Sequence, residues 1–274
     1  MTLAFAVTDD QLHPLPVALG AAVHEALPCE VEGVYSGLRS YGDKLLRLDL
    51  HLERMRANLA TLSATPALDD AAWERALREA LARQRAADPD RDARFRFDTL
   101  VAARPTPAGP CRAFVAVAAF DPPSPDLVAG CAAFTLSPLR RRDPGVKRLD
   151  SIAHRRGATA AYEALLHDGD DLLECSSSNF CAVMRGTLVT AREGVLAGVT
   201  RRLVLELARG LGLPSEERPP RRGEIAQLDE AFLTSCSREV VPIARIGDHV
   251  VGPPGPVTRA LLAAYRTYVG THAR

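Results

Sequence analysis

The sequence predicts an α+β protein built as two subdomains, and three observations support that prediction. The chain has 274 residues, 47% of them apolar and 25% charged, which is ordinary globular composition and enough for a sizeable core. Strand-like alternation and helical periodicity are interspersed along the chain, and no internal repeat is visible. A proline-rich segment at 121–127 predicts a linker, so we expect a small N-terminal domain over 1–120 and a larger domain over 128–274.

The N-terminal half is predicted to combine strands with two helices. Residues 31–48 alternate like two strands around a Gly-Asp turn, which makes Lys44 a solvated turn residue. From Asp49 onward the apolar residues recur at helical spacing, and a second helix is predicted over 70–86 with Asp69 as a candidate N-cap. Strand-like stretches follow at 94–103, 111–119 and 130–136.

The C-terminal half is predicted to begin with a helix over 152–166. A helix that starts at Gly198-Val199-Thr200 is expected to end at Gly210, and a final helix over 256–269 has proline at its start. The remaining predicted elements are a short helix at 224–231 and strands at 172–175, 180–184, 187–190, 232–234 and 240–243.

Charge and composition exclude several classes of protein. Lys plus Arg and Asp plus Glu are balanced at 34 each, which argues against nucleic-acid binding and against a basic membrane-binding face. No apolar run approaches the ~20 residues of a membrane span, and the start lacks the basic region of a signal peptide. The six cysteines show neither zinc-ligand nor disulfide spacing, so we expect no metal site and a cytoplasmic protein.

Lysine is scarce in this chain. Only two of the 34 basic residues are lysines, Lys44 and Lys147, and the others are arginines. Arginine stays protonated in proteins and cannot form a Schiff base, whereas a desolvated lysine can. An enzyme with Schiff-base chemistry would therefore have two candidate nucleophiles, although composition alone favours both as surface residues.

Three features of the second half fit one another chemically. Lys147 precedes a predicted helix, and Glu174 is the only acid between residues 172 and 184, at a strand end before a serine-rich turn. The segment Gly198-Val199-Thr200 opens a helix, where free N–H groups favour an anion. A lysine for an imine, a carboxylate for a protonated ring nitrogen and a phosphate site are what pyridoxal phosphate requires. The ordinary alternatives are a surface lysine, an exposed strand-end glutamate and one helix start among many.

The motifs around these residues resemble those of a known family. In chain order they are Tyr35-Ser-Gly-Leu-Arg39, His51-Leu-Glu-Arg54, Lys147-Arg-Leu-Asp150, Glu174-Cys-Ser-Ser-Ser-Asn179-Phe180, Gly198-Val199-Thr200-Arg201, Phe232-Leu-Thr-Ser-Cys-Ser-Arg-Glu-Val-Val-Pro-Ile243 and Gly255-Pro256-Val257-Thr258. Their order and spacing, over roughly residues 31–270, resemble the class IV pyridoxal-phosphate aminotransferases of fold type IV. That family includes branched-chain and D-amino acid aminotransferases and aminodeoxychorismate lyase.

The resemblance implies a fold, a cofactor and an assembly. The fold would be a small N-terminal α/β sandwich and a larger C-terminal α/β barrel-like domain, as in D-amino acid aminotransferase, and the protein would be a homodimer. Lys147 would hold pyridoxal 5′-phosphate and shuttle the substrate proton, while Glu174 would pair with the ring nitrogen. The residues implied around the phosphate are Arg54, Val199, Thr200, Cys236 and Ser237.

Some of these residues have ordinary alternatives. Arg54 is also compatible with a solvated helix face, and Cys236 with a small core residue. Asn179 is interpreted as a turn-stabilising residue rather than a ligand contact.

The substrate side is marked more weakly than the cofactor side. Arg96 falls near where branched-chain enzymes place a carboxylate-binding arginine, although strand alternation also allows it to face solvent, and Tyr35 would line the same pocket. The chain departs from the family pattern at Cys236, where threonine is common, and at Asp150 and Ser151, which stand in place of asparagine and tyrosine. These departures are expected to affect substrate specificity more than cofactor use.

The predicted function is transfer of an amino group between an amino acid and a 2-oxo acid. One alternative is a lyase that eliminates pyruvate from aminodeoxychorismate and needs no 2-oxo acid. Another is a non-catalytic relative that keeps the fold as a binding protein. A nucleotide-binding enzyme is not favoured, because the sequence has neither a P-loop nor a G-x-G-x-x-G after a strand.

Overall fold

The computed structural model describes residues 1–9, 11–27, 30–124, 132–138, 141–154 and 162–272, and the chain divides into two compact units. Unit 1 contains Met1–Asp121, Val146–Arg156 and His272–Arg274, and unit 2 contains Pro122–Gly145 and Gly157–Thr271. Residues 125–127 of the predicted linker lie outside the described ranges. The predicted division and these units differ at Val146–Arg156, which includes Lys147 and groups with unit 1.

Unit 1 is built on an antiparallel six-stranded sheet. Its strands are β1 Thr2–Thr8, β2 Gln11–Pro14, β3 Gly33–Tyr41, β4 Lys44–Leu45, β5 Ala93–Arg104 and β6 Cys111–Ala119. They are ordered β2-β1-β6-β5-β3-β4. The helices are α1 Leu48–Thr61, α2 Asp70–Ala87 and the short α3 Ser151–His154. The hairpin before α1 and both long helices are confirmed, whereas β1 and β2 are not among the predicted elements.

The core of unit 1 lies between the sheet and its two long helices. Leu77 of α2 and Phe97 of β5 are fully buried, and the Trp73 ring centroid lies 5.3 Å from that of Phe97. The predicted cap is present, because Oδ1 of Asp69 accepts a hydrogen bond from the Ala72 N–H at 2.7 Å. Apolar packing and the cap together fix where α2 begins and which face it buries.

Unit 2 is a sheet closed into a barrel. Its described strands are β7 Ala132–Ser137, β8 Glu163–Asp168, β9 Asp171–Cys175, β10 Asn179–Met184, β11 Thr187–Val189, β12 Ser215–Glu216, β13 Glu230–Ser235, β14 Glu239–Ile246 and β15 His249–Val250. The ring runs β10-β13-β14-β7-β8-β9, and β9 returns to β10 where Glu174 pairs with Asn179. A barrel unit after a sheet-and-helix unit confirms the predicted α+β fold class.

Two helices and a 3₁₀ helix complete unit 2. They are α4 Val199–Gly210, the 3₁₀ helix Arg222–Gln227 and α5 Pro256–His272. The start of α5 is held by Glu230, whose carboxylate accepts from the Val257 and Thr258 N–H groups at 3.0 and 2.7 Å. Within the described ranges, none of the helices has the length and apolar character that crossing a bilayer requires.

The structure corrects three of the predictions made from the second half of the sequence. The helix expected over 152–166 is limited to α3 in the described residues, and Glu163–Asp168 is strand β8, where Leu165 is buried against the barrel. Gly210 lies inside α4, and Gly212 adopts the left-handed conformation instead, with φ +69°. The short helix expected at 224–231 ends at Gln227 as a 3₁₀ helix, since Glu230 already begins β13.

Replacing Asp69 by alanine should remove the α2 cap and destabilise the protein by about 1 kcal/mol. The expected fall in melting temperature is about 2–4 °C, measured by circular dichroism. Asp90→Ala removes an exposed turn carboxylate of the same charge and is the control, with no expected change. Equal melting temperatures for Asp69→Ala and Asp90→Ala would contradict the cap.

Candidate active site

The backbone of Lys147 is hydrogen-bonded to one strand and one helix of unit 1. Its carbonyl oxygen accepts from the Tyr35 N–H at 3.0 Å, and its own N–H donates to Oδ1 of Asn58 at 2.9 Å. The Leu149 N–H donates to the Gly33 carbonyl at 3.0 Å. Nζ of Lys147 lies 4.8 Å from the centroid of the Tyr35 ring. β3 and α1 therefore fix the backbone of the lysine, and its ammonium lies against a buried aromatic face.

Arg96 forms a buried ion pair on β5. Its Nε and Nη2 donate to the two carboxylate oxygens of Asp98 at 2.9 and 2.6 Å. Its Nη1 donates to the carbonyl oxygens of His24 and Leu27 at 2.8 and 3.2 Å. A substrate carboxylate would have to compete with Asp98 for this guanidinium, so the expected substrate role of Arg96 stays a prediction beside its structural one.

Asp98 has a hydrogen-bonded cationic partner but no access to water. Burial raises the pKa of this carboxyl from 3.8 to about 6, although the attraction and hydrogen bonds of Arg96 act in the opposite direction. Asp98 lies opposite Tyr35 in the β3–β5 register, and the Arg96 guanidinium lies 5.7 Å from the Tyr35 ring. The ion pair is thus part of the packing that holds Tyr35, the aromatic neighbour of Lys147.

Arg54 is linked to His51 through a serine hydroxyl. Nη2 of Arg54 donates to Oγ of Ser36 at 2.9 Å, and Oγ lies 2.8 Å from Nδ1 of His51. The serine oxygen accepts from the guanidinium and can donate its own proton to Nδ1 of a neutral His51. Burial, reinforced by the positive charges of Arg54 and Lys147, holds the pKa of His51 well below its usual range. A neutral histidine thereby orients the hydroxyl that binds Arg54.

Glu174 is a buried carboxylate in unit 2, 3% exposed. Its Oε1 accepts from Nη1 of Arg141 at 2.6 Å. Its Oε2 accepts from the Leu196 N–H at 3.1 Å and from Nδ2 of Asn179 at 3.5 Å. A buried carboxylate is expensive unless it is paired and hydrogen-bonded, and Glu174 has a cation on one oxygen and neutral donors on the other. Sequence reasoning missed the partner Arg141, whose only signal was its place in a run of arginines.

Asn179 does more than stabilise a turn. Besides its bond to Glu174, its Nδ2 donates to the Leu196 carbonyl at 2.9 Å. Gly198 is the N-cap of α4, and a Cβ on this residue would lie 1.9 Å from Oδ1 of Asn179. Only glycine leaves room for this approach, which brings the start of α4 beside the Glu174 carboxylate. The predicted phosphate amides follow at once in α4, on Val199 and Thr200.

The remaining predicted residues lie at the same end of the barrel. Asn179 is opposite Thr234 in the β10–β13 register, so the β13–β14 turn lies beside the start of β10. That turn contains Cys236, which is partly exposed, and Ser237, which is 8% exposed. Oγ1 of Thr234 is buried and has no hydrogen-bond partner among the described residues. This end of the barrel therefore collects a carboxylate, a helix N-terminus and small polar side chains.

The predicted site residues thus form one group in each unit. Lys147, Tyr35 and Arg54 belong to unit 1, and the residues of unit 2 are Glu174, Val199, Thr200, Cys236 and Ser237. Within the described residues, no group of three or more His, Cys, Asp or Glu side chains has the arrangement of a metal site.

Comparisons with known proteins identify relatives for most of the chain. A family model described as amino-transferase class IV matches residues 33–246. A Thermotoga maritima protein named as a probable branched-chain-amino-acid aminotransferase is 36% identical over 127 residues, 44% of this chain and 46% of that protein. The D-alanine aminotransferase of Listeria monocytogenes is 34% identical over 113 residues, 40% of this chain and 38% of that protein. The chain thus matches less than half the length of these curated relatives.

Solved structures match over nearly the whole chain. A branched-chain aminotransferase from Thermoproteus uzoniensis superposes with a TM-score of 0.75 at 25% identity, covering 97% of this chain and 94% of that one. A fold IV transaminase from Curtobacterium pusillum gives a TM-score of 0.78 at 20% identity, covering 98% and 99%. The second likeness shows the fold alone, and both cover the two units described above.

Replacing Gly198 by alanine should destabilise unit 2, because the new Cβ displaces the Asn179 side chain from the Leu196 carbonyl. A buried group that loses its partner costs about 1–3 kcal/mol, so the melting temperature should fall clearly. Gly210→Ala, on the same helix with open space around it, is the matched control and should leave stability unchanged or slightly raised. Two indistinguishable variants would contradict the close approach.

Protonation of His51 should destabilise the protein as the pH falls. The folded pKa lies below the unfolded value of 6.5, so the unfolded chain binds the extra proton and this stability is lost below that pH. Urea denaturation from pH 8 to pH 5 should show the wild type losing up to about 1.4 kcal/mol per pH unit below 6.5 relative to His51→Gln. His13→Gln, in the same unit, should keep the wild-type dependence, and the same dependence in His51→Gln would refute the assignment.

Proposed function

The chain belongs to the class IV aminotransferase family, and we propose that it is a pyridoxal-phosphate-dependent enzyme that moves an amino group between an amino acid and a 2-oxo acid. The observation that carries the proposal is the buried Glu174 carboxylate, fixed by Asn179 and Leu196 beside the start of α4. Its position in the chain matches the family motif, and its chemistry suits a protonated ring nitrogen.

The residues present fit pyridoxal phosphate by two structural criteria. Oε1 of Glu174 accepts from a cationic N–H donor, the guanidinium of Arg141, so this oxygen is oriented for a positively charged partner. The ring nitrogen would bind this oxygen together with Arg141 or in its place. Gly198 lets the Asn179 side chain pack against the N-terminus of α4, which keeps Val199 and Thr200 beside the Glu174 carboxylate. When bound, the cofactor would supply an electron sink for the pair left behind as the substrate α-proton departs.

Lys147 would attach the cofactor covalently and handle the proton. Its Nζ would be the nucleophile that holds the cofactor, and as a free amine it would take the substrate α-proton and return it to the other side of the C–N bond. The bonds from Asn58 and Tyr35 keep its backbone fixed during this exchange. Lys44, the chain's other lysine, lies in the β3–β4 hairpin and serves no such purpose.

Phosphate binding would draw on charge and on free N–H groups. Arg54 carries a guanidinium oriented by Ser36 and His51, and Val199 and Thr200 are in the first turn of α4, whose N–H groups lack intrahelical acceptors. Cys236 and Ser237 would add weaker contacts from the β13–β14 turn. Because a thiol is a poorer donor than the common threonine hydroxyl, we expect Cys236 to weaken phosphate binding rather than abolish it.

The proposal extends to substrate contact and assembly. Tyr35 would line the substrate pocket beside Lys147, and the relatives' names leave the amino donor open between branched-chain and D-amino acids. We propose a homodimer on the basis of the family. A cytoplasmic location is supported by the free thiols at Cys111, Cys175, Cys181 and Cys236.

The two lysines give a matched pair for the decisive test. Wild type and Lys44→Ala, incubated with pyridoxal phosphate, should develop the visible absorbance of a lysine-bound cofactor, and Lys147→Ala should not. An amino acid from a panel should bleach that absorbance and a 2-oxo acid restore it, with Lys147→Ala reduced at least about 1000-fold in turnover because nucleophile and base are lost together.

Other outcomes would replace the proposal. Pyruvate released from aminodeoxychorismate without any 2-oxo acid would make the protein a lyase. No absorbance change in the wild type would leave a binding protein, and absorbance that persists in Lys147→Ala would remove Lys147 from its role.

A further inference from the structure

The turns that follow Glu174 and that carry Cys236 lie at one end of the barrel. The first, Ser176–Ser178, joins β9 to β10, and the second joins Ser235 of β13 to Glu239 of β14. Since Asn179 and Thr234 are opposite each other in the β10–β13 register, the two turns are neighbours. Side chains that connect them can set their relative positions.

Glu163, at the start of β8, binds every residue of the first turn. Its Oε2 accepts from the Ser177 N–H and the Ser178 hydroxyl, each at 3.0 Å, and from the Ser176 hydroxyl at 3.4 Å. Its Oε1 accepts from the Ser177 hydroxyl at 2.6 Å. One buried carboxylate thereby fixes the whole serine-rich turn between Glu174 and Asn179.

Arg238, in the second turn, reaches the same carboxylate. Its Nη1 donates to Oε1 of Glu163, and its Nη2 donates to the Ser177 hydroxyl at 3.0 Å. Its Nε donates to the hydroxyl of Ser235 in its own turn at 3.1 Å, and Nη1 also lies 3.3 Å from the Tyr162 hydroxyl. The guanidinium thus joins the two turns through Glu163 and anchors its own.

The charges of this pair depend on each other. Burial by itself would raise the pKa of Glu163, but the Arg238 guanidinium and the Ser177 hydrogen bonds lower it overall. The pKa of Arg238 is raised by the facing carboxylate despite burial. Removing either partner leaves a buried charge without its counter-ion, so the pair should behave as a unit.

We propose that Glu163 and Arg238 are positioning residues, whose ion pair holds the turn after Glu174 in register with the turn that carries Cys236 and Ser237. The proposal rests on the proposed function, because it makes the pair responsible for aligning the ring-nitrogen side of the cofactor site with the turn that would contact the phosphate. Both residues would act through the two turns that they join. Loss of the ion pair should weaken cofactor and substrate binding more than it lowers the kcat of the enzyme once both are bound.

The test begins with the chain free of cofactor, by hydrogen–deuterium exchange. Glu163→Gln keeps the shape of the side chain, and Arg238→Lys keeps the charge while losing the forked contact. Glu163→Gln should accelerate exchange not only in the serine-rich turn that it binds but also in the turn of Arg238, and Arg238→Lys should accelerate exchange in both turns as well. Glu224→Gln, which breaks a partly exposed ion pair with Arg218 in the same unit, should change neither turn. Acceleration of the serine-rich turn alone in Glu163→Gln, or of the Arg238 turn alone in Arg238→Lys, would contradict the coupling.

The second measurement is a titration with pyridoxal phosphate at a temperature where every variant is folded. The dissociation constant should rise about tenfold or more for Glu163→Gln and Arg238→Lys, with KM raised and kcat lowered less, and the double variant should be no worse than the single ones. Binding within twofold of wild type, with both turns loosened, would overturn the positioning role. No binding by the wild type would overturn the proposed function instead, and the exchange data would still decide whether the pair couples the turns.

Discussion

The closure of the barrel at Glu174 and Asn179 is the constraint on which the arrangement of unit 2 depends. The β9–β10 contact that completes the ring is formed by these two residues, and the same carboxylate is hydrogen-bonded to Asn179 and Leu196. The carboxylate that we propose for the ring nitrogen is therefore also one of the residues that close the barrel. Gly198 allows Asn179 to approach α4. The closure of the barrel and the position of the helix N-terminus therefore both depend on Asn179.

Three buried carboxylates of the described residues each have an arginine as partner. Glu174 is paired with Arg141, Glu163 with Arg238, and Arg96 with Asp98. Ion pairs taken out of water stabilise a fold weakly, since desolvation offsets much of the attraction, but breaking one is costly. Such pairs fix geometry more than they add stability. A chain that uses arginine for nearly all its positive charges supplies planar, forked donors for this purpose.

The sequence predicted the two-unit α+β organisation, most strands and the long helices, because these follow from local periodicity, caps and turn residues. It did not predict strand β8, since Glu163 and its neighbours have a helical spacing and the strand forms only by pairing with β7 and β9. The spacing of the motifs predicted Lys147 and Glu174 as site residues. The partners Arg141, Ser36 and Arg238 come from segments distant in sequence, and no local pattern indicates such contacts. The pairing of Arg96 is the opposite case. Its partner Asp98 is only two residues away on the same strand and accepts a hydrogen bond from its guanidinium.

The central claim, that Glu174 binds a protonated ring nitrogen, is tested most directly by comparing pyridoxal phosphate with its analogue that has carbon in place of that nitrogen. A charge-assisted hydrogen bond contributes about 1.5–3 kcal/mol, so wild type should bind the natural cofactor about 10- to 100-fold more tightly than the analogue. In Glu174→Gln that preference should fall below about twofold, since the charge is gone. An unchanged preference in Glu174→Gln would show that the ring nitrogen is bound elsewhere and would contradict the account.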